Sequence, residues 1–150
     1  FRLKPDGEVR LMCAYIVKCG EIVKNPDGSV KEIHVTADLE TGTGNPADRK
    51  VKGTIHWLSA DYAKDADAIL YDRLFTKEDM NDLPEDKKYI DYLNPESAVK
   101  AAGIKTEPSL SEAKPGDRFQ FVRVGYFAKD IKNANTFNRV VTLKDSFPKK

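Results

Sequence analysis

Short runs of alternating hydrophobic and polar positions dominate this sequence, and glycine and proline separate the runs. Residues 9–17 read VRLMCAYIV, and this alternation predicts one β-strand with a single apolar face. The sequence NPDG at 25–28 is a strong turn signal. It therefore predicts that segments 19–23 and 30–37 form a β-hairpin. The sequence KPDG at 4–7 predicts a second turn of the same chemistry.

The rest of the chain continues this pattern. Four further segments have the composition of strands: 51–59, 68–75, 119–124 and 137–143. Thr76 is placed to cap a short helix over 78–83, which Pro84 would end. Segment 98–102 fits either a helical turn or a short strand. About nine short strands, little helix and no β-α-β spacing predict an all-β sandwich or barrel.

Composition and charge narrow the class of protein. The chain has 150 residues, 40% of them hydrophobic and 33% charged, which suits one globular unit or two small ones. No run approaches the roughly 20 apolar residues that span a bilayer. The net charge of +1 disfavours a polyanion binder held by total charge alone. However, residues 117–150 hold eight Lys/Arg against three Asp/Glu, and residues 61–116 hold eight against thirteen.

Signatures of catalysis and of metal binding are absent from the sequence. Cys13 and Cys19 lie in one apolar run with no histidine or further cysteine at ligand spacing, so neither a metal site nor a disulfide framework is predicted. We expect two buried, reduced thiols in a cytosolic chain. No phosphate-binding loop, nucleophile elbow or zinc motif occurs, and no catalytic residue is predicted.

Arginine and glutamine are the more informative polar residues. Arg10 and Arg123 interrupt predicted strands, and Gln120 lies three residues before Arg123. Forked donors and an amide on strands suit the edges of bases. Four aromatic residues interleave with them and suit stacking on unpaired bases: Phe119, Phe121, Tyr126 and Phe127. The same pattern also describes outward-facing strand residues in front of an aromatic core, and the residues alone leave both interpretations open.

Longer blocks carry a resemblance to a known family. They occur in order along nearly the whole chain: EVRLMCAYIVKC at 8–19, RKVKGTIHWLSA at 49–60, LYDRLF at 70–75, LNPES at 93–97, EPSL at 107–110, PGDRFQFVRVGYF at 115–127 and FNRVVTLKD at 137–145. Together they resemble the C-terminal anticodon-binding region of the glutaminyl-tRNA synthetases of class I. Eukaryotic-type and archaeal-type glutamyl-tRNA synthetases share this domain, and the IHW and YDRLF blocks favour the glutaminyl branch.

The resemblance implies a fold and a division of the chain. In the family this region forms two small β-barrels of the ribosomal-L25-like type with short helices. We expect residues 1–75 to form the first, distal barrel, and residues 76–150 to form part of the second, proximal barrel with the C-terminal strands. Strands from before Phe1 contribute to the proximal barrel in the family, so one barrel is expected to be incomplete here.

The resemblance also implies a function. It implies binding of the tRNA(Gln) anticodon stem-loop by a cytoplasmic, monomeric protein. The parent protein would be an ATP-dependent glutamine–tRNA ligase whose catalytic domain lies upstream, so these residues are expected to hold no cofactor and to lack aminoacylation activity. Two alternatives stay open: a free-standing barrel of the L25 type that binds ribosomal RNA, and the equivalent domain of a glutamyl-tRNA synthetase.

Residue roles follow the matching blocks. The resemblance implies that Arg2 reads the third anticodon base and that Arg10 contacts the wobble base or its phosphate. It implies that Gln120 and Arg123 read the central uridine. Lys144 stands where the family has an arginine, which keeps a phosphate contact but loses the fork.

Two further features of the sequence, at three positions, bear on this transfer of roles. Met12 stands where the family has a second arginine, so that contact is lost or supplied by another residue. His56 and Trp57 belong to the IHW block, and we expect them in the core rather than at the RNA. Neither feature weakens the resemblance itself, which rests on the collinear blocks.

Overall fold

Two β-sheets make up nearly all of the regular structure. The computed structural model describes residues 2–42 and 49–143. Within these residues three short 3-10 helices accompany nine strands: β1 (Glu8–Leu11), β2 (Ile16–Lys24), β3 (Val30–Asp38), β4 (Thr54–Ile55), β5 (Lys64–Tyr71), β6 (Ala98–Thr106), β7 (Arg118–Phe121), β8 (Gly125–Lys129) and β9 (Thr136–Thr142). The helices are Leu39–Thr41, Tyr89–Tyr92 and Pro108–Glu112. The predicted all-β class is confirmed, and the number of strands agrees with the predicted number of about nine, although several strands lie at other positions than predicted. The barrel architecture stays a prediction.

The chain divides into two compact units, Phe1–Trp57 and Leu58–Lys150. The first unit contains a sheet in the order β3-β2-β1-β4, and the second a sheet in the order β6-β5-β9-β8-β7. Neighbouring strands are antiparallel except for the parallel pairs β1–β4 and β5–β9. The units divide earlier than the boundary that we placed after residue 75, because β5 pairs with β6 and β9.

The first unit begins with two hairpins rather than one long strand. The predicted hairpin around 25–28 is confirmed, with Gly28 at a φ of 84°. The single strand predicted over 9–17 is wrong, because the chain turns at 12–15 and returns as β2. Cys13 has a φ of 56° in this turn, and the Leu11 amide donates to the Tyr15 carbonyl at 2.9 Å. A left-handed residue ends the alternation that the sequence pattern suggested.

The core of the first unit lies under β1 and β2. Its buried residues are Val9, Ile16, Val17 and Cys19. Cys13 is exposed, so the prediction of two buried thiols holds only for Cys19. The position of Cys13 in the turn, rather than in a strand, explains its exposure.

Phenylalanine fills the core of the second unit. Phe127 and Phe137 are buried, together with Ala66 and Ala68. Phe121 stacks on Phe127 with ring centroids 4.3 Å apart, and Phe119 meets Phe137 edge to face at 5.9 Å. These phenylalanines therefore face the core, and the proposal that they stack on bases is wrong for Phe119, Phe121 and Phe127.

The acidic middle of the chain has little regular structure. The helix predicted over 78–83 is absent, because local side-chain hydrogen bonds compete with a helix there. The Asp79 carboxylate accepts from the Asn81 amide at 2.8 Å, as in a turn. Segment 98–102, which the sequence left undecided, belongs to β6.

Candidate nucleic-acid interface

The outer face of strands β7, β8 and β9 carries the candidate site. Gln120 on β7 lies directly opposite Tyr126 on β8. Because alternate residues point to opposite faces of a sheet, this pair points away from the face that holds Phe119 and Phe127. A shallow groove of about 740 Å³ crosses the outer face, and its walls include Arg118, Gln120, Tyr126, Asn138, Val140 and Val141.

Arg123 sits at the tip of the hairpin and not on a strand. We predicted that it interrupts a strand over 119–124, but β7 ends at Phe121 and a turn spans 122–124. The Val124 amide donates to the Phe121 carbonyl at 2.8 Å, and Arg123 adopts a φ of 66°. Gly125 ends the turn, where a Cβ atom would lie 2.9 Å from the Val141 carbonyl oxygen. This close approach requires glycine at the residue where β8 begins.

Four side chains at this face have no polar partner among the residues that the structure describes. Arg118, Gln120, Arg123 and Tyr126 are exposed, and none of them makes a side-chain hydrogen bond or an ion pair with another described residue. Their donors and acceptors therefore form no hydrogen bond with the described part of the chain. Such groups are available to a ligand without breaking an internal contact.

Arg10 in the first unit has a different environment. Its Nη1 donates to the Ala14 carbonyl at 3.0 Å and to the Thr41 carbonyl at 2.8 Å. These bonds join the β1–β2 turn to the helix at Leu39–Thr41. Both Nη1 hydrogens are used, which leaves the Nε–Nη2 edge of the guanidinium for another partner. The contact of Arg10 with the wobble base stays a prediction.

The remaining predicted positions are less informative. Arg2 is exposed, and its role stays a prediction. Lys144 lies outside the described residues. His56 and Trp57 are exposed, so their expected place in the core is wrong. The Trp57 side chain is 45% exposed, and its Nε1 donates to the Met12 carbonyl at 3.0 Å. Strand β4 has only two residues at the edge of its sheet, which leaves the indole uncovered.

Each unit contains a carboxylate that is held by several hydrogen bonds, and the first of these is Glu8. Arg49 makes a forked contact with Glu8, Nη2 to Oε1 at 3.0 Å and Nε to Oε2 at 3.2 Å, and donates to Asp38 at 2.9 Å. The hydrogen bonds from Arg49 lower the pKa of Glu8 below its usual value. Because Arg49 is bonded to Glu8 and Asp38, it stabilises the first unit and its charge is balanced by these carboxylates.

Asp130 performs a similar task in the loop between β8 and β9. Its carboxylate accepts from Asn138 Nδ2 at 2.7 Å and from the backbone amides of Lys132 and Asn133 at 2.8 and 2.7 Å. These hydrogen bonds, that of Asn138 foremost, lower the pKa of Asp130 to about 2. The charged carboxylate therefore holds the loop and the Asn138 wall of the groove at neutral pH.

The sequence did not single out Arg118. It lies two residues before Gln120 in β7, and this spacing places both side chains on one face of the sheet. That spacing was a usable signal, but it depends on knowing that the strand begins at Arg118. Tyr126 was named among four aromatic residues, and only the fold separates it from the other three.

An exposed sheet face that presents an amide, a tyrosine ring and unengaged arginines has the features of a module that binds single-stranded RNA. Comparison with known families agrees. Residues 1–38 and residues 54–130 each match a family model described as the anticodon-binding domain of class I tRNA synthetases (E and Q). The chain belongs to this family.

Individual relatives are similar over nearly the whole chain. The chain is 43% identical over 150 residues to the glutamine–tRNA ligase of Pseudomonas putida, covering 97% of the chain and 26% of that protein. It is 46% identical over 157 residues to the glutamine–tRNA ligase of Neisseria gonorrhoeae, covering 99% and 28%. The chain thus spans about a quarter of the length of these relatives. Within the described residues, no helix has the length and apolar character needed to cross a membrane.

Proposed function

We propose that this chain recognises the anticodon loop of tRNA(Gln) as part of a glutamine–tRNA ligase. One observation carries the proposal. The family match over 54–130 includes the β7–β8 hairpin, where Gln120 and Arg123 are exposed and have no partner among the described residues. The similarity to glutamine–tRNA ligases supports the glutaminyl branch over the glutamyl one.

The chemistry of the hairpin suits a uracil in an anticodon loop. The bases of such a loop can be unstacked and read on their Watson–Crick edges. The Gln120 amide offers an acceptor to the N3–H of uracil and a donor to a neighbouring carbonyl. Arg123, at the tip of the turn, supplies a charged fork to the same base or to an adjacent phosphate. Gln120 thereby contributes specificity and Arg123 contributes both charge and orientation.

The first unit supplies the flanking contacts in this proposal. Arg10 presents its Nε–Nη2 edge to the wobble base or its phosphate, from a guanidinium already fixed by two carbonyls. Fixing the side chain in advance lowers the entropy lost on binding. Arg2 reads the third base, and Lys144 holds a phosphate, which positions the loop without reading it.

The proposal divides two tasks between this chain and the rest of the parent protein. We assign to this chain the recognition of RNA as a monomer in the cytoplasm. ATP-dependent ligation of glutamine belongs to a catalytic domain elsewhere in the parent protein. The proposed binding role can therefore be tested on this chain without any assay of aminoacylation.

A titration tests the proposal. The chain is titrated, at a stated salt concentration, with a tRNA(Gln) anticodon stem-loop and with one whose central anticodon base is changed. We expect the change to weaken binding by about 1–3 kcal/mol, the usual discrimination of one good bidentate contact. An unrelated ribosomal RNA hairpin that binds as tightly as the cognate loop would favour the alternative of an L25-type module.

A further inference from the structure

Tyr126 occupies an unusual position in the second unit. It lies between Gln120 on β7 and Val141 on β9, yet the residue is 47% exposed. An aromatic ring in the middle of three strands normally packs into a core. This ring instead forms part of the floor of the groove, beside the exposed Val140 and Val141. Nearly half of the residue is therefore open to a ligand next to the Gln120 amide.

Arg118 adds positive charge to the same groove. It is exposed on the same face of β7 as Gln120, and its side chain makes no hydrogen bond or ion pair with a described residue. The neighbouring Asp117 accepts from the backbone amide of Lys114 at 2.8 Å, and Asp130 is held by its own loop. Neither carboxylate forms an ion pair with Arg118. The guanidinium can therefore bind an anion from outside the protein.

We propose that this groove is a nucleotide subsite in which Tyr126 stacks on an unpaired base and Arg118 binds the adjoining phosphate. The inference rests on the proposed function and adds these two residues to it. A nucleotide offers a planar base and a phosphodiester anion at short separation. The groove offers a ring and an amide on opposing strand positions and a guanidinium two residues along β7 from the amide. If the apolar surface of a partner protein covered the groove instead, Gln120 and Arg118 would be desolvated with no hydrogen-bond partner.

The test uses the intact chain and two RNAs. One RNA is the tRNA(Gln) anticodon stem-loop, and the other has an abasic residue at the central anticodon position. The variants are Tyr126→Ala, Tyr126→Leu and Tyr126→Phe. Leucine preserves apolar contact but removes the flat ring, and phenylalanine preserves the ring. Tyr89→Ala is the matched control, because Tyr89 is also an exposed tyrosine of the second unit, 65% exposed. Circular dichroism confirms that each variant is folded.

We expect the Ala and Leu variants to bind the intact loop roughly tenfold or more weakly, the usual effect of losing one base–aromatic stack. Their affinity for the abasic loop should stay within about twofold of wild type, since no base is left to stack. The Phe variant should resemble wild type on both RNAs. Equal losses on the two RNAs, or an equal loss in the Tyr89 control, would overturn the assignment of Tyr126.

Arg118→Ala should weaken both RNAs similarly and should reduce the slope of log affinity against log salt by about one. An unchanged slope would overturn the phosphate contact.

If the wild-type chain binds no anticodon stem-loop at all, the proposed function fails and the subsite fails with it. If wild type discriminates the central base but the Tyr126 variants behave as wild type, the subsite alone is wrong. A variant that alters self-association and leaves RNA affinity unchanged would also overturn it, and would identify a protein interface.

Discussion

Arg10 and Arg123 look alike in the sequence and differ in the structure. Each interrupts a run of apolar residues, and each matches an arginine of the family. Yet Arg10 donates two hydrogen bonds to backbone carbonyls of its own unit, whereas Arg123 is exposed at a hairpin tip and has no partner among the described residues. The Arg10 side chain therefore stabilises the fold and can also contact a ligand. The Arg123 side chain has no such structural task among the described residues and is available to a ligand.

This difference predicts how stability and the proposed RNA recognition are distributed between the two units. In the first unit, two backbone carbonyls hold the Arg10 guanidinium, so we expect its loss to destabilise the protein in addition to any effect on RNA binding. In the second unit, phenylalanine rings on the inner face stabilise the sheet, so its outer face can hold polar groups with no structural task. Substitutions should therefore separate stability from binding in the second unit and combine them in the first.

The largest expected effect on stability is at Arg10. Arg10→Ala removes a charged donor from the Ala14 and Thr41 carbonyls, and we expect the free energy of unfolding of the first unit to fall by about 1–3 kcal/mol. Amide hydrogen exchange of β1 and β2 measures this loss in that unit. Arg123→Ala is the control and should change stability by no more than about 0.5 kcal/mol. Equal losses of stability in the two variants would contradict the structural difference between Arg10 and Arg123.

A smaller effect is expected at the backbone of Arg123. Its φ of 66° is unfavourable for a residue with a Cβ atom but not for glycine. Arg123→Gly should therefore raise the free energy of unfolding of the second unit by up to about 1 kcal/mol while weakening RNA binding. Denaturant unfolding and RNA titration of one preparation measure both. A less stable variant would show that the Arg123 side chain supports the fold.

The smallest effect is expected from the acidic loop support at Asp130. Its pKa falls from the usual 3.8 to about 2 on folding, because its hydrogen bonds favour the charged form. The stability that it contributes is therefore complete above about pH 4 and is lost as the pH falls towards 2. The free energies of unfolding of wild type and Asp130→Ala, each measured with urea, should therefore converge as the pH falls through this interval. A constant difference between pH 5 and pH 2 would contradict the role of the carboxylate.

The sequence predicted the strands better than their ends. The NPDG turn is local chemistry, and the hairpin around it was predicted. The turn at 12–15 was not, because it depends on contacts from far along the chain: the Met12 carbonyl accepts from Trp57, and Arg10 reaches Thr41. The helix over 78–83 failed for the opposite reason, since Asp79 bonds to its own local backbone.

The site was predictable by residue type and less by geometry. Gln120 and Arg123 stood out as polar residues in an aromatic strand, and the family blocks gave them roles. The end of β7 at Phe121 places Arg123 in the turn, and this turn depends on a left-handed Arg123 and on the hydrogen bond from Val124 to Phe121, which the alternation does not reveal. Tyr126 and Arg118 needed the register of three strands, because alternation alone does not say which face is covered.

A two-by-two titration tests the central claim most directly. Wild type and Gln120→Ala are each titrated with the cognate tRNA(Gln) stem-loop and with the loop that carries a changed central base. We predict that the substitution weakens the cognate complex by about 1–3 kcal/mol and barely affects the changed loop, so the variant no longer distinguishes the two RNAs. An equal loss on both RNAs would show that Gln120 contacts only the backbone and would contradict base reading by the outer face of β7 and β8.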